Sequence, residues 1–78
     1  MEKVEVTARF GLDGQVYPLQ FIWENRIYRI ESIGRQWEAD GSAHFLVMAP
    51  GNEVYELVYH PLSRRWQIKP VRPGRYIA

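Results

Sequence analysis

Glu53-Val54-Tyr55-Glu56-Leu57-Val58-Tyr59-His60, then Pro61-Leu62-Ser63-Arg64, then Arg65-Trp66-Gln67-Ile68-Lys69: this stretch decides the fold. Two runs rich in β-branched and aromatic residues flank a turn segment, the pattern of a β-hairpin. Its register follows from matching faces, because a slip of one residue turns every side chain to the other side of the sheet. Pairing Tyr59 with Trp66 also pairs Leu57 with Ile68 and Glu56 with Lys69. The slipped alternative sets Tyr59 against Arg65 and Leu57 against Gln67. Only the first register keeps apolar side chains together.

Working outward, His44 to Ala49 forms the preceding strand around Pro50-Gly51-Asn52, with Val47 opposite Tyr55 and Phe45 opposite Leu57. Gln15 to Trp23 and Arg26 to Ile33 form an earlier hairpin about Glu24-Asn25, which pairs Phe21 with Tyr28 and Leu19 with Ile30. Pro18 marks an edge or a bulge, since it brings no N–H to a ladder. Val4 to Phe10 alternates apolar and polar residues and leads into the turn Gly11-Leu12-Asp13-Gly14. Glu38 to Ala43 reads as a polar loop. No stretch has helical spacing over three turns. The expected fold is all-β, a single small antiparallel six-stranded meander curled into a barrel-like or strongly bent sheet. The expected inner set is Val4, Val6, Phe10, Leu19, Phe21, Tyr28, Ile30, Phe45, Val47, Tyr55, Leu57, Trp66 and Ile68.

The same registers leave Leu46, Met48, Val54 and Val58 on the second face, with Ile22 and Ile27 on the outer side of the earlier hairpin. A simple one-sided sheet does not carry so many outward aliphatics. A curled barrel, a loop folded over the sheet or a homodimer interface each accounts for them; the curled barrel is the first expectation and self-association the second.

The chain has 78 residues, 46% hydrophobic, 24% charged and without cysteine. That length holds one domain, residues 1–78, with a core over about residues 4–71 and a C-terminal tail at 72–78. Lack of cysteine excludes disulfide scaffolds, zinc fingers and thiol chemistry. The longest apolar run, Phe45 to Ala49, is far short of the ~20 residues of a membrane helix. A soluble, cytoplasmic protein with no membrane partner is the expectation.

The net charge of +1 hides an asymmetry. Residues 1–60 carry five basic against nine acidic side chains, whereas residues 61–78 carry Arg64, Arg65, Lys69, Arg72 and Arg75 and no acid. Arginine forks fit phosphate oxygens, so this end is a candidate polyanion site as well as an ordinary solvated turn and tail. Trp37, next to Arg35, is either a stacking surface for a base or a ring that seals an open end of the sheet.

His44 and His60 have no partner carboxylate at a metal-binding spacing and read as strand-end polar residues. Ser32, Ser42 and Ser63 lack a nucleophile-elbow context, and no carboxylate pair is selected for acid–base work. The sequence predicts no catalytic residue, metal ligand or cofactor, and not an enzyme.

The stretch Phe21-Ile22-Trp23-Glu24-Asn25-Arg26-Ile27-Tyr28-Arg29-Ile30, followed by Ile33 and Trp37, resembles a small bacterial all-β domain family of unknown function. Its members share an aromatic-x-Trp, a turn, an Arg-x-Tyr-x-Val/Ile and a second Trp, and they close with a hairpin like Tyr55–Tyr59 through Arg65–Ile68. Glu24-Asn25 departs from that family's Arg-Gly turn. Such domains occur near translesion-polymerase-like proteins, so the resemblance implies a DNA-repair setting without assigning contact residues.

Two functional expectations follow. One is a non-catalytic accessory module binding single-stranded nucleic acid or a DNA-repair protein, through Arg64, Arg65, Arg72, Arg75, Trp37 and Arg35. The alternative is a protein-interaction or self-association module, a homodimer in its simplest form, using Leu46, Met48, Val54 and Val58.

Overall fold

A computed structural model describes residues 2–71 as one antiparallel sheet of seven strands curled into a half-barrel, with no helix among the described residues. The strands are β1 (Glu2–Phe10), β2 (Val16–Trp23), β3 (Arg26–Arg29), β4 (Ser32–Ala39), β5 (Ser42–Ala49), β6 (Glu53–His60) and β7 (Arg65–Val71). Their order across the sheet is β3-β2-β1-β7-β6-β5-β4. The sheet is therefore two meanders joined where β1 pairs with β7, with Val4 opposite Trp66.

The predicted registers of the later hairpins hold: Tyr59↔Trp66, Leu57↔Ile68 and Glu56↔Lys69 in one, Val47↔Tyr55 and Phe45↔Leu57 in the other. Phe21 pairs with Tyr28 as expected. The strand count does not hold, because the sheet has seven strands rather than six. The expected strand Arg26 to Ile33 is broken at Ile30-Glu31, where the chain changes partner. Ile30 N–H donates to the Leu19 carbonyl (3.0 Å), and Glu31 N–H donates to the Met48 carbonyl (2.8 Å). Beyond this step the chain pairs with β5 as far as Ala39↔Ser42, so the expected loop Glu38 to Ala43 shrinks to the turn Asp40-Gly41. Both turn residues have positive φ (54° and 77°), as a two-residue hairpin turn requires.

The inner face forms the core. Phe21, Phe45, Val47, Leu57 and Ile68 are buried, and Tyr28, Tyr55 and Trp66 close over them. Tyr28 stacks on Phe21 at 4.9 Å, while Tyr55 meets Phe21 and Trp23 edge-on at 5.2 and 5.7 Å. Rings in such arrangements gain attraction beyond their buried area. The buried Trp23 Nε1 has no hydrogen-bond partner among the described residues. Burial, reinforced by the neighbouring Tyr28 hydroxyl and the Glu53 carboxylate, pushes the Tyr55 hydroxyl well above the ordinary tyrosine range.

Two members of the expected inner set lie elsewhere. Leu19 is 48% exposed because β2 bulges there: Thr7 pairs with Gln20 but Ala8 pairs with Pro18. The bulge also accommodates the missing N–H of Pro18. Phe10 is 59% exposed at the end of β1, where it touches Tyr59 edge-on at 5.8 Å rather than entering the core.

Candidate nucleic-acid interface

Strand alternation and the registers assign every charged strand residue to a face. Lys3, Arg9, Arg29, Arg35, Arg65 and Lys69 share the outer, convex face with only two carboxylates, Glu5 and Glu56. The other carboxylates lie in turns, in the β3–β4 linker or at inward-facing positions of the strands: Glu2, Asp13, Glu24, Glu31, Glu38, Asp40 and Glu53. The sheet thus sorts by face what the sequence sorts only by chain position.

On this face one row of directly paired residues crosses five strands: Trp37, His44, Val58, Gln67 and Lys3. Trp37 stacks with the His44 ring at 5.1 Å and 15°, and the Arg35 guanidinium lies 4.9 Å from the indole centre. His44 Nδ1 lies 2.9 Å from Glu56 Oε2, so the imidazole donates to a part-buried carboxylate that also faces Lys69 across the ladder. Guanidinium, indole, imidazole and carboxylate form one connected series over β4, β5 and β6. Arg35 and Trp37 therefore lie within strand β4, not beside a loop, and the ring is stacked on the outer surface rather than sealing an end of the sheet.

A second polar group borders the row. His60 Nε2 lies 2.7 Å from Gln67 Oε1, and His60 Nδ1 lies 2.8 Å from Ser42 Oγ. With Gln67 Oε1 accepting, His60 donates from Nε2 and its Nδ1 accepts a hydrogen bond from the Ser42 hydroxyl. Ser42 is buried, which leaves its hydroxyl little access to a substrate. Between the two histidines lies Val58, only 2% exposed although it is on the outer face, flanked in register by His44 and Gln67.

The structure separates the sequence-derived candidates into groups. Arg65 joins Arg35 and Trp37 on the outer face, while Arg64 closes the β6–β7 turn with φ of 58°. Arg72 and Arg75 lie outside the described residues. Of the apolar candidates, Leu46, Met48 and Val54 line an open, mostly apolar concavity of about 190 Å3 together with Gly34. Val58 is not part of it.

Sequence reasoning missed the His44–Glu56 and Ser42–His60–Gln67 contacts, although a signal was present. The register that sets Phe45 opposite Leu57 also places His44 and Glu56 diagonally on the other face, within side-chain reach. No group of three or more histidine or acidic side chains able to hold a metal ion occurs among the described residues.

Fold and face together define an all-β half-barrel with a cationic outer surface. No family model matches the chain, and neither a curated protein nor a solved structure is significantly similar to it.

Proposed function

We propose that this chain is a non-catalytic accessory module that binds single-stranded nucleic acid across the outer face of its sheet. The observation that carries the reading is the sorting of charge: six cations against two carboxylates on one face. A flexible polyanion binds such a surface mainly by releasing counterions, and stacking adds sequence-tolerant affinity. Arg65, Lys69 and Lys3 serve the phosphates on β7 and β1. Arg35 and Trp37, steadied by His44 and Glu56, supply a cation and a ring for a base at the β4 side. The family resemblance favours a DNA-repair setting for this binding.

Fluorescence anisotropy with a labelled oligonucleotide at low salt tests the proposal. Arg65→Ala with Lys69→Ala is expected to weaken binding at least tenfold and to lower the slope of log K against log salt by about 1.4, two single-strand phosphate contacts. No binding at micromolar protein, or binding indifferent to the double substitution, removes the proposal.

The concavity lined by Leu46, Met48 and Val54 supports self-association as the second reading, because aliphatic side chains there meet water. Light scattering that finds a monomer at millimolar protein eliminates the homodimer.

A further inference from the structure

On the side where the two ends of the curled sheet approach each other lies a cleft of about 410 Å3. Gln15 and Val16 at the entry to β2 form one wall, Gln36, Trp37 and Glu38 of β4 form the other, and β5 contributes Ala43, His44 and Phe45 to its lining. Both walls are strand edges. Among the described residues β4 is hydrogen-bonded along its length only to β5, and β3 is too short to cover β2 beyond Gln20↔Arg29 and the single Ile30-to-Leu19 bond. Upstream of Leu19, β2 therefore pairs only with β1 among the described residues.

We infer that this cleft is a strand-addition site for an extended segment of another protein that carries a lysine or arginine opposite Glu38. Strands in a sheet sit about 4.8 Å apart, and an exposed edge offers its N–H and C=O groups to any extended backbone at that spacing. The β4 edge is eight residues long and lies beside apolar groups from Phe45, Ala43 and Val16, so alternate side chains of an added strand enter the cleft. The strand order makes β2 and β4 run in opposite directions, so a segment antiparallel to β4 runs parallel to the opposite wall.

Charge selects the occupant. Glu38 is exposed and has no ion pair, and Gln36 has no hydrogen bond, among the described residues. A cation directly across the strand pair complements Glu38. A second copy pairing through its own β4 adds another Glu38 to the joint, and an inward-facing charge on an edge strand is a feature that opposes pairing of identical edges. The partner is thus a different segment with a lysine or arginine opposite Glu38 and small or β-branched residues two positions to either side of it, on the same face. The cleft borders the outer face and shares Trp37 and His44 with it; the strand edges and Glu38 that carry the inference take no part in the charged face, so it stands or falls without the nucleic-acid reading.

The experiment is amide NMR on the full chain titrated with a capped octapeptide that alternates valine with threonine, one central valine being replaced by lysine so that lysine and valines share a face. The expected result is slowed hydrogen exchange and shifted resonances at Gln36, Glu38 and Val16. The same peptide N-methylated on the residues that face β4 is expected to lose this effect, because its donors are gone. Glu38→Gln, an exposed substitution that leaves the fold intact, is expected to weaken binding about three- to fivefold. Four outcomes overturn the inference: no change at β2 or β4; shifts confined to the outer face away from the cleft; equal binding by the same peptide with glutamate in place of its lysine; or β4-edge amides already protected without peptide. The last assigns the edge to a second copy if protection depends on protein concentration, and to the chain itself if it does not.

Discussion

The β5–β6–β7 ladder and the β2–β3–β4 stretch are built from the same residue types, yet only the first keeps its register without interruption. β5 with β6, and β6 with β7, each run from end to end with no shift. The other region bulges at Leu19, changes partner at Ile30-Glu31 and shifts again at Gly34, between Ile33 and Arg35. In the first region the inward positions from Phe45 to Ala49, Tyr55 to Tyr59 and Trp66 to Ile68 all carry side chains the core can use, and only Glu53 and Pro70 at the strand ends do not. In the second, Pro18 lacks a donor, Gly34 lacks a side chain, and Gln36 and Glu38 put polar groups on the inward side. The unbroken ladder presents the charged face rigidly, and the interrupted one leaves the edge-lined cleft.

The sharpest test of this contrast is two leucines on the two sides of it. Leu57 is fully buried in the ladder, whereas Leu19 is the bulged residue of β2. Leu57→Ala is expected to cost about 2–5 kcal/mol, and Leu19→Ala about 0.5 kcal/mol or less. Urea unfolding measures both. Should Leu57→Ala leave too little folded protein, Ile68→Val in the same layer is expected to cost about 0.5–1.5 kcal/mol. Equal losses at Leu57 and Leu19 would break the comparison.

A second test uses Tyr55, which joins the two regions by meeting Phe21 and Trp23 from β6. Its folded hydroxyl ionises well above the ordinary value of 10.0, while the unfolded chain ionises near that value. Below pH 10 both states keep the proton and stability is unaffected. Above it the unfolded state loses its proton first, so stability falls by up to about 1.4 kcal/mol per pH unit. Tyr55→Phe is expected to cost about 0.5–1.5 kcal/mol at neutral pH through loss of the hydroxyl's bond to Glu53, and to remove this part of the alkaline decline. Melting curves at pH 8 and pH 11 are expected to converge for the two proteins. A constant difference between them would mean that Tyr55 is not shielded where the regions meet.

The same contrast governs what the sequence disclosed. Face matching worked for Tyr55, Leu57, Trp66 and Ile68 because apolar residues alternate there and one register satisfies all of them. It failed for β4, whose segment Gly34-Arg35-Gln36-Trp37-Glu38 reads as polar: an edge strand needs little apolar surface, and its backbone pairing with β5 leaves no mark on composition. Leu19 was misplaced because a bulge changes parity within a strand that otherwise alternates. The charged face was half legible. Glu56 opposite Lys69 followed from the hairpin, but joining Arg35 and Trp37 to Arg65 required the order of strands in space, which no single hairpin contains.

The smallest effect is expected at the Glu24-Asn25 turn, and it asks whether the interrupted region is limited by its turns or by its packing. Both residues have positive φ, 52° and 63°, the conformation that a two-residue hairpin loop needs to match strand twist. Asn25 adopts it readily, but Glu24 has no short side chain to support a left-handed backbone and pays about 1 kcal/mol to hold it. Glu24→Asn relieves part of that strain without adding glycine's entropy to the unfolded chain, so a gain of about 0.5 kcal/mol and a rise in Tm of roughly 2–4 °C are expected. At the Asp40-Gly41 turn, where aspartate and glycine already suit the geometry, Asp40→Asn is expected to change Tm by less than about 2 °C. If both substitutions leave Tm unmoved, the turn at Glu24 stores no strain that limits the region. The weakness of β2–β3–β4 then lies wholly in its bulges and its polar edge.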